Sequence, residues 1–155
     1  MSKKIAIAVV CILILSAVGF LGIFIPIHND HIASEIEHTL LETPLPENTE
    51  VIESVNVAGK LTGNGNGMNF FGGMLIKTEL TEDELEQFYS EIREYGFEYL
   101  IVNQNSDKIS VIEHGDYNFE SLKNVTDFDR FYLIYTWGSD NSALKNFGNF
   151  DLRGH

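Results

Sequence analysis

The sequence predicts an α+β protein: an N-terminal transmembrane helix, then a mostly antiparallel sheet of about five strands (β-β-α-β-β-β) with one helix packed on a face. Three observations predict it. Ile5 to Ile27 is a run of 23 residues without a charge, preceded by Lys3 and Lys4. Two alternating apolar segments, Val51 to Leu61 and Met68 to Ile76, flank the glycine- and asparagine-rich Gly63–Gly67. One amphipathic helix, residues 82–95, separates that hairpin from three further apolar segments.

A helix rises about 1.5 Å per residue, so the run reaches about 34 Å, enough to cross about 30 Å of hydrocarbon. The rival is a secretory signal, whose apolar core is usually about 7–15 residues and ends at a small-residue cleavage site. This run is longer, and Ser16-Ala17-Val18-Gly19 lies inside it, so an uncleaved anchor over residues 5–27 is expected. Lys3 and Lys4 at one end, with His28, Asn29 and Asp30 at the other, put residues 1–4 in the cytoplasm and the remainder outside the cell membrane. Four inner residues hold no catalytic domain, so an inward signal would pass through a partner. Ser16, Ala17, Gly19 and Gly22 offer small side chains for packing against another helix.

Residues 28–48 read as a juxtamembrane helix and a linker. Ile32, Ile36, Leu40 and Leu41 recur at helical spacing over 29–42, continuing from the anchor after a bend near Pro26. Pro44 and Pro46 then favour extended chain, so the extracytoplasmic domain is expected over 49–155.

In that domain, Val51, Val55, Val57 and Leu61 alternate with polar residues as in a half-buried strand. Asn and Gly at 63–67 tolerate the positive φ of hairpin turns. Gly72-Gly73 inside the second strand implies a bulge or a close backbone approach. Thr81 with Glu84 forms a capping box ahead of the stripe Leu85, Phe88, Tyr89, Ile92 and Tyr95, and Gly96 stops the helix. Strands are expected at Phe97–Val102 and Ile109–Ile112, with a loop or short helix over 117–128. Phe131–Trp137 is apolar on both faces, which predicts a central strand. The Asn- and Gly-rich tail from Gly138 is expected to fray.

Beyond residue 27 lie all 23 acidic residues and eight basic ones, a formal charge of −15. Such a surface repels nucleic acid and suits solubility, or a cationic partner. The sole cysteine, Cys11, sits in the apolar run, so the outer domain holds no disulfide. That pattern fits a bacterial surface protein better than a small disulfide-rich secreted domain.

Candidate chemistry is sparse. His31, Glu35 and His38 fall at i, i+4 and i+7 on one helical face, a spacing that suits zinc, with His28 one turn earlier. A polar stalk face has the same composition, and no H-E-x-x-H motif is present. Gly63–Gly67 leads into a strand, not a helix, so it is no phosphate loop. Its Asn64 and Asn66, with Phe70 and Phe71, are the candidate binding residues. Asp116, Glu120, Asp127 and Asp129 lack the EF-hand pattern. No exported cysteine or G-x-S-x-G supports nucleophilic catalysis. The expectation is a non-catalytic, membrane-tethered domain, without a cofactor, that binds a protein or cell-envelope component. An accessory subunit packing through its membrane helix and a metal-dependent surface enzyme are the alternatives.

Overall fold

The computed structural model describes residues 3–65, 67–92 and 98–153. Helix α1 (Lys3–Gly19) runs through one wide π turn (Phe20–Phe24) into helix α2 (Ile25–Leu41) without a break. The π turn answers Pro26. A proline has no N–H to donate and its ring crowds the carbonyl four residues back. Widening the preceding turn, so that the Ile25 N–H bonds to the Phe20 carbonyl, lets the helix pass this point. The π turn lies immediately before Pro26, where the sequence predicts a bend.

The two halves of this rod differ in burial. No residue of α1 is buried. In α2 one face is: Ile25, Pro26, Asn29, Ala33, Ile36 and Leu40. Ile36 and Leu40 belong to the expected stripe, Ile32 flanks it half-buried, and Leu41 is exposed. Residues 28–41 are therefore part of the domain's core rather than a stalk below it.

Among the described residues the sheet holds four strands in the order β1-β2-β4-β3, all pairs antiparallel: β1 (Glu50–Gly59), β2 (Asn69–Lys77), β3 (Leu100–Asn103) and β4 (Phe131–Gly138). The hairpin β1–β2 forms as expected, and β4 is central, between β2 and β3. A bulge at Ile52 shifts the register between Val51 and Glu53. It puts Val51 opposite Ile76 while Val55 and Val57 share the other face with Gly73 and Phe71. The bulge expected at Gly72-Gly73 is absent, since pairing runs through both glycines without a shift.

The fifth strand, expected at Ile109–Ile112, does not form. Ile109 and Ile112 lie in a turn, where the Ile112 N–H bonds to the Ile109 carbonyl at 3.2 Å. Strand pairing there is reduced to an isolated bridge, Lys108 to Asn118. The i, i+3 spacing sends both isoleucines to one side, and both are buried in the same cluster.

Both sheet faces are covered. Helices α2 and α3 (Glu82–Glu91) cover one, burying Leu40, Met74, Ile76, Leu85, Tyr89, Tyr132 and Ile134, beside Ala33, Ile36, Ala58 and Phe70. The chain from 104 to 128, with one 3-10 turn at Glu120–Leu122, covers the other with Ile109, Ile112, Phe119 and Leu122 against Phe71, Leu75 and Leu133. Each fully buried side chain of this size contributes about 1.5–3 kcal/mol. The adjacent aromatics Phe70 and Phe71 thus serve opposite faces, both within the core.

Helix α3 starts at the expected capping box. The Thr81 hydroxyl accepts from the Glu84 N–H, and the Glu84 carboxylate accepts from the Thr81 N–H at 2.8 Å. Those bonds from the Thr81 backbone and hydroxyl hold the Glu84 carboxyl below its usual range. The helix closes at Ile92. The expected stop at Gly96, with Tyr95 and Phe97, lies outside the described residues.

Candidate functional site

The expected metal face does not assemble. Each imidazole pairs with the carboxylate one turn later: His31 Nε2 with Glu35 Oε1 at 3.5 Å, and His38 Nδ1 with Glu42 Oε1 at 3.3 Å. His28 turns to the tail instead, 3.1 Å from Asp140 Oδ2 and 3.3 Å from Ser142 Oγ. Among the described residues no set of three His, Cys, Asp or Glu side chains is disposed to hold a metal ion.

The expected binding residues also separate. Phe70 and Phe71 are buried and present nothing to a partner. Asn64 is exposed in the β1–β2 connection, and Asn66 lies outside the described residues. That connection is long rather than tight. Asn69 Oδ1 accepts from the Leu61 N–H at 3.0 Å, and Gly63, at φ +65°, donates to Glu113 Oε2 at 2.7 Å.

Two further arrangements come from tertiary structure alone. The first is a cleft of about 600 Å³ between α2 and the end of β4. Ile32 and Ile36 give it an apolar part, and Glu35, His38, Thr39, Ser139 and Asn141 surround them with polar groups. It exists because α2 lies almost on the sheet. A Cβ on Gly72 would sit 2.8 Å from the Glu37 backbone nitrogen, so only glycine permits the approach. This is the close contact that Gly72 announces in the sequence. Thr39 is engaged internally, its Oγ1 donating to the Glu35 carbonyl at 2.8 Å. Glu35 and His38 are paired with His31 and Glu42, so the Ser139 hydroxyl and the Asn141 amide are the other polar groups beside the apolar patch.

The second is a clasp between the tail and the start of α2. Buried Asn29 donates to the Gly148 carbonyl at 3.1 Å and to Asp151 Oδ2 at 3.0 Å. Arg153 donates to both Asp30 carboxylate oxygens (2.9 and 2.8 Å), to Asp151, and to the Pro26 carbonyl at 3.3 Å. Burial pushes the Asp151 carboxyl up, but hydrogen bonds from Arg153 and Asn29 outweigh it and hold the group at about 2. The Arg153 guanidinium is raised by its bonds to Asp151 and Asp30. The tail expected to fray is therefore pinned. Its signal in the sequence is Asn29 itself, a polar residue at the buried spacing set by Ile25, Ala33 and Ile36.

No protein-family model matches the chain, and neither a curated protein nor a solved structure matches it significantly.

Proposed function

We propose that this chain is a membrane-tethered domain that binds a protein or cell-envelope component, without catalysis, through the cleft between α2 and the end of β4. One observation carries the reading: α2 is both the continuation of a 39-residue helix apolar enough in its first half to span a membrane and one wall of the cleft. The lysines at positions 3 and 4 favour a cytoplasmic N-terminus and an extracytoplasmic domain. Ile32 lies eight residues past Phe24, about 12 Å along the helix axis. A ligand in the cleft would therefore be engaged close to the membrane surface.

The test is site-specific photocrosslinking in intact cells of the native host. A photoreactive residue at Glu35 or Asn141 should capture a discrete partner, and the same residue at Leu45, beyond the far end of α2, should not. Capture only from positions within α1 would overturn the cleft reading and favour an accessory subunit that packs through its membrane helix.

A further inference from the structure

Among the described residues, the three most exposed large apolar side chains beyond the long helix fall within six positions of each other: Phe147 (44% exposed), Phe150 (58%) and Leu152 (62%). Water is a poor solvent for such a cluster, and the clasp holds it in place. The Phe147 ring meets Phe20 edge-on with centroids 5.9 Å apart, and Leu152 Cδ1 lies 3.8 Å from where a Cβ on Gly22 would be. The tail's apolar side chains thus extend the exposed apolar surface of the anchor.

Depth identifies what covers them. Counting from Ile5, about 20 residues at about 1.5 Å each fill about 30 Å of hydrocarbon and end near Phe24. Phe20 and Gly22 lie inside that boundary, while Asp30 and Asn29 lie beyond it. Leu152 and Phe147 sit beside the inner pair, and Arg153, Asp151 and the Gly148 carbonyl bond to the outer region. An apolar edge below and a polar clasp above is the order of a bilayer interface.

We propose that Phe147, Phe150 and Leu152 enter the acyl chains of the leaflet on the domain's side, giving the domain a second lipid contact beside its anchor. This rests on the tether reading. It makes the tail a wedge that fixes the height and tilt of the cleft.

The test uses the full chain in phosphatidylcholine vesicles whose acyl chains carry bromine at known depths. Trp137, the only tryptophan, is changed to Phe, and a single tryptophan is placed by Phe150→Trp, Phe147→Trp, Ile12→Trp or Leu45→Trp. Shallow bromines should remove about half or more of the emission at 147 and 150. Deep bromines should quench position 12, and position 45 should be untouched. Quenching at 12 with 147 and 150 behaving like 45 overturns the wedge and leaves the tether standing. No quenching at 12 overturns the tether itself. Emission at 147 and 150 shielded from both bromine and aqueous iodide overturns the wedge in favour of a protein cover. Two tail positions keep the test decisive if one variant misfolds, which circular dichroism reports.

Discussion

A methyl group on Gly138 would lie 1.9 Å from Ile36 Cδ1, so a side chain at the end of β4 requires the Ile36 side chain of α2 to shift. Gly72 makes the same demand one strand away, where a Cβ would lie 2.8 Å from both the Glu37 backbone nitrogen and Ile36 Cγ2. The difference is testable. Gly138→Ala and Gly72→Ala should each destabilise the domain by about 1–3 kcal/mol through overpacking. Ile36→Ala should relieve the first, with a coupling of about 1 kcal/mol in a double-mutant cycle, and the second only in part, because the Glu37 backbone stays in place. Urea unfolding of the single and double variants and the parent measures this. Complete relief of Gly72→Ala by Ile36→Ala would contradict the backbone contact.

Asn29 should govern the order of the tail. Its amide holds Gly148 and Asp151, and Gly148 lies so near that an added Cβ would be 3.0 Å from Asn29 Oδ1. Asn29→Ala should cost about 1–3 kcal/mol by removing two hydrogen bonds, while the Gly148 carbonyl keeps the Asp151 N–H and the Asp151 carboxylate keeps Arg153. Hydrogen exchange should quicken over 147–153 and stay unchanged in β2 and β4. Uniform acceleration across the sheet would show that the clasp is not a separate unit.

Acid should open the same clasp. Asp151 titrates at about 2 when folded, against an ordinary 3.8. A depressed carboxyl stabilises the fold above its unfolded pKa, and that contribution is lost as pH falls through the folded pKa. The loss, on the order of 2 kcal/mol, belongs between about pH 4 and pH 2. Asp151→Asn should be less stable at neutral pH and should flatten the stability profile in that window. An unchanged profile would remove Asp151 as its source.

Tyr89 carries a buried hydroxyl without a hydrogen-bond partner among the described residues. Burial, with Tyr99 nearby, pushes its phenol far up, so it stays neutral at any ordinary pH. Tyr89→Phe removes an unsatisfied polar atom and keeps the ring contacts with Phe88 and Tyr99. Its thermal midpoint should match or exceed that of the parent. A loss above about 1 kcal/mol would reveal a partner for the hydroxyl.

Thr81→Ala should cost about 1 kcal/mol, because it removes the side-chain half of the capping box. Thr81→Ser should retain most of the stability. Equal losses in the two variants would point to the threonine methyl rather than the cap.

The elements legible in the sequence are those whose local pattern and global place agree. Phe131–Trp137 is apolar at consecutive positions because β4 is flanked by strands and covered on both faces. The Thr81–Glu84 pair is a local signal that tertiary structure leaves alone. Ile109–Ile112 misleads because a buried turn and a short strand are equally apolar. Only the absence of a pairing partner, and Leu61 accepting the Glu113 and His114 N–H groups, separate them. Helical spacing brings His31 near Glu35, while His38 pairs with Glu42 one turn further on. The cleft and the clasp are hidden for another reason. Each joins residues about a hundred positions apart, such as Ile36 with Gly138 and Asp30 with Arg153, and no periodicity carries that information.

The absence of a break between α1 and α2 has a mechanical consequence. A hinged tether would let a partner pull or turn the domain without disturbing the bilayer-spanning segment. Here the helix that enters the core is continuous with an apolar stretch long enough to cross a membrane. Turning α1 about its axis by one residue's worth of helix, about 100°, would swing the cleft around that axis through a comparable angle. In the tether proposed above, a force on the cleft would reach α1 as torque.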